Sequence, residues 1–97
     1  MITEHALLPV LAGHEEAFEA AFREAHPLIA SAPGFEDLSL SRSIESPSMY
    51  LLLVRWRALE DHTEGFRQSE CYAIWRKLLH HFYSPFPAVE HYKPIEL

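Results

Sequence analysis

The chain has one cysteine, Cys71, so an internal disulfide and a thiolate metal site are both excluded. Basic residues are the minority: 8 lysines and arginines stand against 14 aspartates and glutamates, a formal charge of −6 with histidine neutral. That balance argues against nucleic-acid binding, which wants a basic face. Long hydrophobic runs are missing. The longest, Met49 to Val54, falls far short of the ~20 residues of a membrane span. The N-terminus carries no basic segment followed by an apolar core, so no signal peptide is expected there. Repeats, low-complexity tracts and linkers are also lacking. What is present is 97 residues that are 48% hydrophobic, too apolar for a disordered chain. The expectation is one domain over residues 1–97, soluble and cytoplasmic. A chain this short buries only roughly 60–70% of its unfolded surface. The apolar surplus therefore needs an address beyond its own core.

Proline and glycine punctuate short elements. Residues 2–10 read as a modest strand whose end Pro9 confines to an edge or bulge. From His14 the period becomes helical, with Phe18, Phe22, Ala25 and Ile29 on one face and Glu15 and Glu16 in the first turn. Pro27 predicts a kink or a restart, and Pro33-Gly34 the end of the helix. Residues 35–45 alternate: Leu38, Leu40 and Ile44 point one way, Ser39, Ser41 and Ser43 the other. Residues 49–57 form a strand that is apolar on both faces. Met49, Leu51 and Leu53 lie on one side, with Tyr50, Leu52, Val54 and Trp56 on the other. A short helix over 59–68 carries His62 and Phe66. Ser69 caps a second helix, where Cys71, Tyr72, Trp75, Leu78, Leu79 and Phe82 make one stripe. Residues 88–95 are a last short strand. The order β-α-β-β-α-α-β is the split βαβ, ferredoxin-like pattern: an α+β fold with a four-stranded antiparallel sheet and helices on one face. Those helices reach one side of the 49–57 strand only. A second copy of the same sheet is the simplest cover for the other side, which predicts a homodimer packed sheet to sheet.

Several stretches resemble the antibiotic biosynthesis monooxygenase family of the dimeric α+β barrel group. They are Gly13-His14-Glu15-Glu16-Ala17-Phe18 at the opening of the first helix, the Ser31-Ala32-Pro33-Gly34-Phe35 turn, and Leu51 to Trp56 followed by His62. The segment from Phe66 through Tyr72 and Trp75 to Tyr83 resembles one branch of the family. The resemblance implies a homodimer that oxygenates an electron-rich phenol, anthrone or quinol with O₂ and without a flavin, metal or other cofactor. Such chemistry needs a base, a proton relay and a site closed to bulk water.

Within that reading His62 is the candidate base, because imidazole titrates near neutrality; a surface or capping histidine is the alternative. Trp56 offers an indole N–H for a substrate oxygen and a ring to stack on it, or is a core tryptophan closing the barrel. Tyr72 has a hydroxyl that needs a partner when buried, which makes it the third catalytic candidate. Trp75, Phe18, Phe22, Phe66 and Tyr50 are candidate pocket wall, and ordinary core otherwise. Arg42 shares the apolar face of its strand with Leu38 and Leu40, so it either meets an anionic substrate or snorkels outward. At 100° per residue from Trp75, His80 and His81 fall well away from the buried stripe and are expected on the solvated or interface side. His5 and His91 on the terminal strands, with Glu4 and Glu90, make a conceivable but unsupported metal site, and no metal is expected.

Two other functions fit the same pattern. One is a non-catalytic ligand-binding or regulatory dimer. The other is haem degradation, since haem-degrading relatives share the fold. Those relatives are similar in a third-strand tryptophan and a last-helix histidine, but they also use a first-strand asparagine; this chain has no asparagine, and by the helical count His80 points the wrong way.

Overall fold

A computed structural model describes all 97 residues. Alternation of side chains along each strand builds the sheet. Strand β1 (Ile2–Pro9) pairs along its whole length with β3 (Met49–Trp56). Strand β2 (Phe35–Arg42) pairs on the far side of β3, and β4 (Val89–Tyr92) on the far side of β1. The order is β2-β3-β1-β4, every pair antiparallel. Helix α1 (Glu15–Ala30) and helix α2 (Glu70–Leu79) cover one face, giving the ferredoxin-like α+β arrangement. The molecule measures 37 × 36 × 20 Å, a slab two layers thick. Its core lies between the layers, where Tyr50, Leu52, Val54 and Trp56 of β3 meet Phe18, Phe22, Ala25 and Ile29 of α1. On the bare face, Met49, Leu51 and Leu53 are only half-buried and Leu7 is exposed.

Four local expectations change. Pro9 lies on a central strand rather than an edge. It is tolerated because the ladder bond to the β3 side comes from Val10 N–H, on the Ser48 carbonyl at 2.9 Å, while on the other side Pro9 only accepts, from Ser84 N–H at 2.9 Å. Helix α1 runs unbroken through Pro27. The carbonyl that loses its donor belongs to Arg23, and both residues lie on the solvent side of the helix. Strand β2 stops at Arg42, so Ile44 leaves the apolar face and is 90% exposed. The chain turns there because Ser43 N–H already bonds to the Met49 carbonyl at the mouth of the hairpin. The short helix after β3 is a π-helical turn, Asp61–Phe66, closed by Arg67 N–H on the His62 carbonyl at 3.1 Å. Its wide winding buries both His62 and Phe66 against the sheet. Ser69 does cap α2, its hydroxyl accepting from Tyr72 N–H at 3.1 Å.

Candidate active site

Glu4 is the buried acid of the molecule, 5% exposed. The pleat of β1 points it, with Ala6 and Leu8, toward the helices. The β1–β3 register sets Trp56 near it, and the indole Nε1–H donates to Glu4 Oε1 at 2.9 Å. The π-helical turn swings His62 under the same carboxyl, with Nε2 3.4 Å from Oε1. Its ring lies nearly parallel to the Trp56 indole, centroids 5.4 Å apart and planes 18° apart. On its other side, His62 Nδ1 and His91 Nε2 are 2.7 Å apart. His91 reaches that position because β4 places it opposite Glu4 on β1. The result is a contiguous row of polar side chains, Trp56–Glu4–His62–His91, hydrogen-bonded at both ends and bridged between by the 3.4 Å approach of His62 to Glu4, running from the core to a half-buried histidine on the edge strand.

Burial decides the electrostatics. It raises the Glu4 carboxyl above the usual carboxylate range, an effect the Trp56 N–H and the charge of Arg67 partly oppose. It lowers His62 to about 3, with Arg67 and His91 pushing the same way. His91 is lowered by burial and then by Arg67. The row therefore favours a neutral imidazole beside a carboxyl with enhanced proton affinity, and disfavours an imidazolium.

A cavity of about 90 Å³ opens beside Glu4 and His62. Its walls are mainly apolar and include Leu52, Phe66, Tyr72, Trp75 and Val89, with Arg67 among the lining residues. Glu4 Oε2 takes no hydrogen bond from the chain, yet no buried side-chain oxygen is left without a partner, so Oε2 keeps accessible surface and its residue lines the cavity. The Tyr72 hydroxyl is likewise free of protein partners.

The sequence candidates divide. His62 and Trp56 meet at Glu4, and Tyr72, Phe66 and Trp75 line the cavity. Phe18 is fully buried away from it, packed edge-on against Phe22, Tyr50, Phe82 and Tyr83. Tyr50, Phe22 and Arg42 line a second cleft, between α1 and β2. There Tyr50 donates to Glu19 Oε2 at 2.6 Å, and the Arg42 guanidinium sits 3.6 Å from the same oxygen. They are separated from His62 because Tyr50 and Trp56 occupy opposite ends of β3.

His80 is a correction. It lines the cavity, half-buried, with its ring 6.0 Å from Tyr72 and 4.9 Å from Phe86. The α-helical count fails because α2 ends at Leu79 and the chain tightens into a 3₁₀ turn at His80–Phe82. The four residues His5, His91, Glu4 and Glu90 divide between the two faces of the sheet. Glu4 and His91 face the helices, whereas His5 pairs across the ladder with Glu90 and packs against Tyr92. Glu4 itself was legible in one respect: it is the lone acid in phase with Ala6 and Leu8.

Fold and site together define a small ferredoxin-like α+β protein with a helix-side pocket built around a buried carboxyl. The family model for antibiotic biosynthesis monooxygenases matches residues 1–78, and the chain belongs to that family. It is 50% identical over 95 residues to the uncharacterized protein YczJ of Bacillus subtilis strain 168, covering 98% of this chain and 100% of that one. Among solved structures, a Bordetella bronchiseptica protein assigned as an antibiotic biosynthesis monooxygenase superposes with a TM-score of 0.92 at 38% identity, covering 98% and 97% of the two chains. SnoaB, a cofactor-independent oxygenase from Streptomyces nogalater, superposes with a TM-score of 0.84 at 16% identity, covering 99% and 94%, a likeness of fold.

Proposed function

We propose that this protein is a homodimeric, cofactor-independent monooxygenase that oxidises an electron-rich aromatic, a phenol, anthrone or quinol, with O₂. The observation that carries the reading is the Glu4–His62 pair, held under Trp56 at the edge of an apolar cavity. A base in an apolar site can take a substrate hydroxyl proton and leave an anion that donates one electron to O₂. Superoxide and the substrate radical then join at a ring carbon that carries hydrogen. Loss of that hydrogen as a proton, with cleavage of the O–O bond, gives a carbonyl and one molecule of water. The substrate loses two hydrogens and gains one oxygen, and O₂ supplies both oxygens. In this scheme His62 and Trp56 hold and relay at the carboxyl, and Tyr72 presents a free hydroxyl to the ligand. Phe66 and Trp75 form the wall.

The dimer reading rests on the bare sheet face, where Met49, Leu51 and Leu53 have no cover within the chain. The test is oxygen uptake on a panel of quinols, phenols and anthrones, with aerobic and anaerobic arms. Wild type is expected to consume oxygen with at least one member, and His62→Ala to lose a factor of about 10²–10⁴ in rate. No uptake across the panel overturns the enzyme reading in favour of a ligand-binding dimer.

A further inference from the structure

We propose that Glu4 Oε2 is the atom that accepts the substrate's hydroxyl proton, that His62 and His91 form its proton path to the surface, and that the substrate it serves is a single-ring phenol or quinol. The substrate class rests on the oxygenase reading; the base and its path rest on geometry alone.

Three observations carry it. First, the two oxygens of Glu4 are unequal. Oε1 is engaged by the Trp56 N–H and faces His62 Nε2, whereas Oε2 has no partner in the chain and belongs to a residue lining the cavity. A ligand hydroxyl there finds an acceptor whose geometry is fixed from behind. Second, His62 Nδ1 meets His91 Nε2 at 2.7 Å, and its Nε2 faces Glu4 Oε1 at 3.4 Å. Each ring nitrogen thus has a protein group beside it. Once the carboxyl turns its proton toward His62, a shift of tautomer, with one proton entering at Nε2 and another leaving at Nδ1, moves a proton outward. His91 receives it at a half-buried position on the edge strand. Third, the cavity measures about 90 Å³. An apolar cavity of about 150 Å³ holds one benzene. The cavity is thus closer in size to one ring than to three fused rings, and Phe86, 63% exposed, is one of its walls.

In the binding step the substrate O–H bond breaks and an O–H bond forms at Oε2; the substrate keeps the electron pair and becomes the phenolate. A half-turn of the carboxyl about Cγ–Cδ carries that proton to the His62 side, and it returns to solvent through His62 and His91, so no oxidant is consumed.

The probe is 4-nitrophenol, a single-ring phenol whose ionisation is visible, added anaerobically below its own pKa. Wild type is expected to bind it as the yellow phenolate, and Glu4→Gln to bind it mainly as the colourless phenol. The His62 and His91 imidazole nitrogen resonances should move together on binding while that of His81, which is exposed and outside the cavity, stays in place. Binding of the colourless form by wild type, or equal phenolate in Glu4→Gln, overturns the proposal. If Glu4→Gln fails to fold, the wild-type resonances decide alone: histidine signals indifferent to the probe overturn it. Equal affinity for an anthrol overturns the single-ring assignment. Ionisation on binding without oxygen uptake on the panel supports the base and counts against the oxygenase; oxygen uptake without ionisation does the reverse.

Discussion

Glu4 depends on a tryptophan 52 residues away for its only hydrogen bond from an N–H donor. Trp56→Phe keeps most of the ring and removes that donor. It should lower stability by about 1–3 kcal/mol in urea denaturation. It should also raise the Glu4 pKa further, since the indole N–H is one of the groups holding it down. An unchanged urea midpoint would show that the bond contributes nothing. His62 gives a second prediction. In the unfolded chain it protonates near its ordinary value of 6.5, whereas in the fold it does so only at about 3. Between those values the unfolded state binds the extra proton, so stability from His62 is present above about 6.5 and is lost as pH falls toward 3. The slope is at most about 1.4 kcal/mol per pH unit for one proton. His91, also lowered, acts in the same direction. Glu4 opposes it, because its raised pKa favours the folded state below that pKa and loses the benefit as pH rises through it. The charge facing all three is Arg67, present in wild type and variant alike. His62→Phe should flatten the acid limb in denaturation across pH 3 to 6.5; parallel curves for the two proteins would contradict a buried neutral imidazole.

Among the elements, the π-helical turn decides where the site falls. Its position is braced by Gly34, which sits at φ +84° and directly under the Asp61 side chain. Asp61 in turn accepts the Ala58 N–H at 3.1 Å and so fixes the start of the turn. A methyl group at position 34 strains the backbone and displaces Asp61. Gly34→Ala should cost about 2 kcal/mol, and it should shift the His62 resonances although it lies outside the cavity. A variant with wild-type His62 signals would separate the brace from the site. The short helix after β3 was expected over 59–68, but its winding was not. Gly65 and the buried pair His62 and Phe66 look alike in an α and a π turn of this length, and the wider form is selected by packing against the sheet. His80 is the same case at the end of α2: nothing in the stripe from Cys71 to Phe82 marks where α winding tightens to 3₁₀.

For the molecule as a whole, 6239 Å² of accessible surface is more than the about 5,700 Å² typical of a monomer of 11.2 kDa. The excess agrees with a bare sheet face, and with the homodimer proposed to cover it. Leu53→Asp, on that face and away from the cavity, should shift sedimentation toward the monomer while the fold survives. A wild type that sediments as a monomer at micromolar concentration would remove the dimer from the proposal.

The sequence by itself determined the layers. Period-two alternation fixed which side of β3 meets the helices, and the helical stripes fixed which residues meet the sheet, because these periods follow from backbone geometry alone. It also placed Trp56 and His62 together, since only a short turn separates them. Only the tertiary structure decided that Glu4 and His91 complete the row. Those two residues come from opposite termini and meet through the β1–β4 register, Glu4 opposite His91. That register is set by packing between segments more than 80 residues apart, and no local period records it.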